Sequence, residues 1–110
     1  MKQKGTLLLA DDDRQVLRSM ADWLTEQGYP TDTAASLADA VAAVDRKAYD
    51  LVLADIRLGE DDGFDLLSHC REHHPNTTVI MITGYGTVET AVEAIRLGAF
   101  DFLTKPLIDD

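Results

Sequence analysis

Thr6-Leu7-Leu8-Leu9-Ala10 runs directly into Asp11-Asp12-Asp13, and further along Leu51-Val52-Leu53-Ala54 runs into Asp55. Short, continuous apolar runs read as strands buried on both faces, so acids at their ends mark the rim of a core. If the two strands lie parallel and side by side, Asp11, Asp12 and Asp55 share one crevice at their carboxyl ends, the usual ligand position in an open α/β sheet. At about 5 Å and an effective dielectric near 20, each carboxylate pair repels by roughly 3 kcal/mol. Such a cluster calls for a proton or a cation, and oxygen donors of this kind favour Mg²⁺, Mn²⁺ or Ca²⁺.

Outward from these strands the pattern alternates. Val16, Leu17, Met20 and Leu24 fall on one helical face, with Gly28 as a stop. Thr31 to Ala34 reads as a short strand, and Ser36 with Asp39 opens a helix carrying Leu37, Val41, Val44 and Ala48 on one face. Gly59 to Gly63 reads as a loop, and Phe64 to about His73 as a helix that Pro75 ends. Val79 to Ile82 is the fourth predicted strand, and Gly84-Tyr85-Gly86 breaks the chain after it. Val88, Ala91, Val92 and Ile95 share the face of a fourth helix that Gly98 closes, and Phe100 to Thr104 forms a fifth strand before Pro106. Apolar strands alternating with amphipathic helices predict a doubly wound α/β domain with a five-stranded parallel sheet. No linker, low-complexity tract or repeat divides residues 1–110, which are read as a single domain. A helix is expected after the last strand and is missing from this chain, so an amino-terminal fragment of a longer protein is the expectation.

Composition narrows the function classes. A chain of 110 residues, 45% hydrophobic, suits one small core. No stretch is apolar and long enough to span a bilayer, and no membrane partner is expected. A net charge of −10 opposes direct binding to nucleic acid. Cys70, the lone cysteine, excludes an internal disulfide and reads as a small apolar helix residue; a cytoplasmic location is expected.

Thr83 and Lys105 stand at the ends of the fourth and fifth strands, so both are expected in the crevice with the acids. Asp55 is suited to act as an oxygen nucleophile on phosphorus, with a divalent ion, Lys105 and Thr83 neutralising and aligning the phosphoryl oxygens.

Leu9-Ala10-Asp11-Asp12-Asp13, Leu53-Ala54-Asp55-Ile56-Arg57-Leu58, Asp62-Gly63, Ile82-Thr83-Gly84 and Leu103-Thr104-Lys105-Pro106 together resemble the motifs of response-regulator receiver domains of two-component systems. Thr83-Gly84-Tyr85-Gly86, Ala91 to Arg96 and Gly98-Ala99-Phe100-Asp101-Phe102 resemble the nitrogen-regulator-type, sigma-54-dependent activators within that family. The resemblance implies a flavodoxin-like fold with strand order 2-1-3-4-5. It implies that Asp55 takes a phosphoryl group from a sensor histidine kinase, as a signalling domain that catalyses only its own phosphorylation and dephosphorylation. Asp12, Asp55 and the backbone carbonyl of Arg57 would contact Mg²⁺ or Mn²⁺ directly, with Asp11 acting through water. Lys105 and Thr83 would engage the phosphoryl oxygens, and Thr83 with Phe102 would form the switch. An output domain, absent here, would control transcription, and a homodimer through the fourth helix and fifth strand region is a candidate assembly. The acidic Gly59 to Gly63 loop and Leu107 depart from the common family pattern, and that loop is expected to be flexible.

Three other readings stand beside this one. They are a receiver-shaped interaction module that takes no phosphate, a Mg²⁺-dependent phosphohydrolase using an aspartyl intermediate, and a flavodoxin-like binding module, which would lack its phosphate cradle because acids follow the first strand. Asp13 is expected to cap a helix or face solvent instead of joining a metal site. His69, His73 and His74 contain an i, i+4 pair, but with no third ligand nearby in sequence a solvated helix end is expected. Trp23 is expected to be partly buried on the first helix.

Overall fold

The apolar runs become strands and the amphipathic stretches cover them. The computed structural model describes residues 5–84 and 86–105; Met1 to Lys4, Tyr85, Pro106 and Leu107, on which expectations were placed, lie outside the described residues. The order is β1 (Leu7–Ala10), α1 (Arg14–Glu26), β2 (Thr31–Ala34), α2 (Leu37–Arg46), β3 (Leu51–Asp55), β4 (Arg57–Leu58), β5 (Asp61–Asp62), α3 (Gly63–His73), β6 (Thr78–Thr83), α4 (Val88–Arg96) and β7 (Asp101–Thr104). Five strands form one parallel sheet in the order β2-β1-β3-β6-β7. With β6 and β7 as the fourth and fifth strands of that sheet, this is the expected 2-1-3-4-5 arrangement.

Alternation along each strand divides the core into two layers. Leu8, Val52, Ala54, Val79 and Met81 pack with Ala43 and Val44 of α2, Leu66, Leu67 and Cys70 of α3 and Ala94 of α4. On the other face Leu7, Leu9, Leu53 and Ile82 meet Leu17 and Met20 of α1, while Ile80 and Leu103 are only partly covered. Burial of one such aliphatic side chain contributes about 1.5–3 kcal/mol. Polar side chains start the helices: Asp13 accepts from the backbone N–H groups of Gln15 and Val16, Ser36 from Asp39, Asp62 from Phe64, and Thr87 from Thr90.

Four local expectations change. Gly59 to Gly63 is no simple loop: Arg57 pairs with Asp62 and Leu58 with Asp61 in an antiparallel ladder, Gly59 turns the chain at φ +68°, and Gly63 already begins α3. Because α2 ends at Arg46, Ala48 is exposed and Tyr49 takes the buried position instead. On α4 the inward residue is Ala94, which leaves Val88, Val92 and Ile95 exposed. Trp23 is 44% exposed on α1.

Candidate functional site

The switch in winding direction falls between β1 and β3. The chain goes from β1 to β2 on one side, then returns to β3 on the other, which opens a crevice at the carboxyl ends of the two strands. The register pairs Ala10 with Ala54, so Asp11 and Asp55 leave the sheet at the same level. Asp11 is fully buried, Asp55 is 8% exposed and Asp12 is exposed. Oxygen atoms of all three carboxylates lie within 4.8 Å of one another. Backbone N–H groups orient two of them: Asp13 donates to Asp11 Oδ1 at 2.9 Å and Arg57 to Asp55 Oδ1 at 3.0 Å.

Lys105 enters from the far edge of the sheet. Its backbone N–H donates to Thr83 O at 2.8 Å, and its Nζ lies 2.7 Å from both Asp11 Oδ2 and Asp55 Oδ2. Burial lifts the Asp11 carboxyl above its ordinary pKa, with Lys105 and the Asp13 N–H opposing the shift. Burial alone would pull Lys105 down, but its hydrogen bonds to Asp11 and Asp55 outweigh burial and raise it. One ammonium among three carboxylates leaves the cluster anionic, with Lys105 Nζ shared between the buried Asp11 Oδ2 and Asp55 Oδ2. A hard divalent cation fits this donor set, which is all oxygen, partly buried and short of positive charge.

Thr83 ends β6 at 3% exposure, and its β7 partner in the ladder is Thr104, next to Lys105. Phe102 of β7 is half-buried and packs against the α2–α4 side of the core. A Cβ on Gly86 would meet Thr104 Cγ2 at 2.6 Å and Phe102 Cε2 at 3.4 Å, so this glycine lets the segment after Thr83 lie close to the aromatic ring. Gly63 has a structural role that its place in a motif does not reveal. A Cβ there would sit on the Asp55 carbonyl oxygen and 2.9 Å from Ile56 Cα, while the Gly63 N–H donates to Ile56 O at 2.8 Å. Only glycine lets α3 start against the backbone of Asp55. Asp13 stays out of the cluster as a helix cap. Cys70 is buried, and burial pushes its thiol up to about 11, which makes it unreactive. The histidines do not form a merely solvated helix end: His69 and His74 converge on Asp45 of α2, a partner that local sequence spacing could not reveal.

The comparisons agree with this geometry. Residues 7–110 match the response regulator receiver domain family. The alginate biosynthesis transcriptional regulatory protein AlgB of Pseudomonas aeruginosa is 39% identical over 109 residues, covering 99% of this chain and 24% of AlgB. The chain therefore spans about a quarter of that relative's length. The crystal structure of the receiver domain of NtrX from Brucella abortus is 40% identical with a TM-score of 0.85, covering 93% of this chain and 87% of that one. A response regulator protein from Burkholderia pseudomallei, crystallised with a phosphorylated aspartic acid, calcium ion and citrate, is 27% identical with a TM-score of 0.90, covering 96% of this chain and 62% of that one. The chain belongs to the response regulator receiver domain family, and its relatives include regulators of the nitrogen-regulator type.

Proposed function

We propose that this domain takes a phosphoryl group onto Asp55 from a phosphohistidine of a sensor kinase and passes the resulting change of state to an output that controls transcription. The observation that carries the reading is the position of Lys105 Nζ, 2.7 Å from Asp55 Oδ2 and Asp11 Oδ2 at the topological switch point. Asp11, Asp12, Asp55 and the backbone carbonyl of Arg57 are the groups that would hold Mg²⁺. Bound there, the ion would screen the phosphoryl oxygens from the carboxylates.

The chain's own residues do the remaining work. The Arg57 N–H fixes the plane of the Asp55 carboxylate through Oδ1, which leaves Oδ2 turned toward Lys105. A carboxylate oxygen attacks phosphorus, the histidine P–N bond breaks, and the imidazole leaves with that electron pair, giving an aspartyl phosphate. Lys105 then follows the added charge from the carboxylate to the phosphoryl oxygens, and the Thr83 hydroxyl donates to them. Movement of Thr83 alters the space beside Phe102, a two-state change biased by the phosphoryl group. The exposed stripe of Val88, Val92 and Ile95 on α4, beside β7, is the surface we assign to signalling contacts, a homodimer included.

Intact-mass analysis after incubation with acetyl phosphate tests the reading. One added phosphoryl group is expected with Mg²⁺ present, and none without the metal or in Asp55→Asn. Labelling of Asp55→Asn at the wild-type level would overturn the assignment of the nucleophile. No adduct on a folded, Mg²⁺-binding chain under conditions that exclude rapid hydrolysis would favour an interaction module that takes no phosphate.

A further inference from the structure

A second group of metal-ligating side chains lies at the opposite end of the strands from the acid crevice. Helices in this fold return the chain to the amino ends of the strands, so the carboxyl ends of α2 and α3 lie near the starts of β3 and β6. Asp45 is in the last turn of α2, His69 is in α3, and His74 is the residue that ends α3. Both imidazole Nε2 atoms lie 2.7 Å from the same oxygen, Asp45 Oδ1. Residues five apart on a regular helix would point well away from each other. Pro75 disfavours a helical conformation at His74, whose backbone turns to φ −136° and ψ 63°, and the ring swings back toward His69, with 5.7 Å between centroids.

We propose that Asp45, His69 and His74 form a transition-metal site that takes Zn²⁺ and clamps the end of α2 to the end of α3. Two imidazoles and a carboxylate are a donor set for Zn²⁺ and related ions, unlike the all-oxygen crevice at the other end of the strands. The side chains are 22%, 49% and 27% exposed for His69, Asp45 and His74, which leaves an open side for a water ligand. Bonds of about 2.0–2.1 Å require the donor atoms to separate to about 3.3 Å, an opening of less than about 1 Å from the hydrogen-bonded arrangement. Each imidazole would bind as the tautomer protonated at Nδ1, so the metal replaces both hydrogen bonds to Asp45. The His73 ring lies tilted beside His69 with 4.7 Å between centroids, but its Nε2 lies toward Glu72 at 3.9 Å, and it is not a ligand.

The test uses the untagged chain, stripped with chelator and then saturated with Mg²⁺ so that the acid crevice is occupied. Zn²⁺ is titrated against a chromophoric chelator, and Co²⁺ is added separately for its visible absorption. One Zn²⁺ per chain and a Co²⁺ spectrum of low coordination number are expected. Because loss of a partner merely behind the ligands costs about 10–100-fold, His69→Gln, His74→Gln and Asp45→Asn are each expected to weaken Zn²⁺ binding by at least about tenfold. His73→Gln and Asp55→Asn are expected to bind as wild type does. Circular dichroism and labelling by acetyl phosphate show that the histidine variants remain folded. Undiminished binding in the His69→Gln, His74→Gln double variant would overturn the proposal, as would its loss in Asp55→Asn. Absence of micromolar binding to wild type would mean that the three residues form an ion pair only.

Discussion

Lys105 holds together two carboxylates that would otherwise face each other without a counter-charge. Removing one partner from a buried ion pair costs about 3–5 kcal/mol, and the quarter exposure of this ammonium brings the expectation for Lys105→Met to about 1–3 kcal/mol. Urea unfolding in metal-free buffer should show that loss, and Mg²⁺ should restore much of it by replacing the missing charge. A different residue pair sets a pH limit. Asp32 Oδ2 accepts from the Tyr49 hydroxyl at 2.6 Å and from Lys47 Nζ at 3.0 Å, which lowers its carboxyl pKa. A lowered folded pKa means stability that is present above the ordinary carboxylate range and lost as pH falls through the folded value. For Tyr49, burial and the bond to Asp32 push the phenol up to about 12, so its contribution holds below about 10 and is lost as pH rises through about 12. Asp32→Asn should therefore flatten the acid side of the stability curve and bring tyrosinate absorbance in at lower pH. Equal pH curves for variant and wild type would show that the pair carries no linkage.

At the scale of elements, α3 and α4 illustrate two kinds of fit. The first residue of α3 touches the backbone that carries Asp55, and Gly63→Ala forces a Cβ into that contact. Overpacking of this kind costs about 1–3 kcal/mol. The urea midpoint should fall accordingly, and labelling of Asp55 should slow because the carboxylate is displaced. On α4, Ala94→Leu should cost a similar amount, whereas Val92→Lys should stay within about 0.5 kcal/mol because Val92 is 54% exposed. The reverse ranking would mean that the exposed stripe is buried in solution, as a dimer would bury it. Periodicity found α4 but chose the wrong face: Val88, Val92 and Ile95 are larger than Ala94, and apolar size does not say which side meets the sheet. By contrast β1, β3 and β6 were legible because strands buried on both faces leave an uninterrupted apolar run. The β4–β5 ladder escaped the sequence because two-residue strands have no period to detect.

For the whole molecule, the crevice was legible because all its members stand at strand ends, a place that sequence marks twice, by the end of an apolar run and by a change to polar chemistry. The cluster of Asp45, His69 and His74 was not, because it depends on how two helices end relative to each other. A net charge of −10 makes the folded chain sensitive to cations in general, and the acid crevice is expected to select among them. Mg²⁺ at a hundred times its dissociation constant would add about 2.7 kcal/mol of stability, far more than monovalent salt at equal ionic strength. Equal stabilisation by both in thermal melts would mean general screening without a site.

The bond from Lys105 to Asp55 joins residues 50 apart in the chain, and it forms only once β3, β6 and β7 have assembled. The crevice is thus also a timer. We expect a contact of that span to close late, so that the complete crevice, Lys105 included, forms after the rate-limiting barrier to folding. In stopped-flow experiments Mg²⁺ should leave the refolding limb of the chevron unmoved and slow the unfolding limb alone, and the ion would then act as a latch on a finished sheet and not as a seed for it.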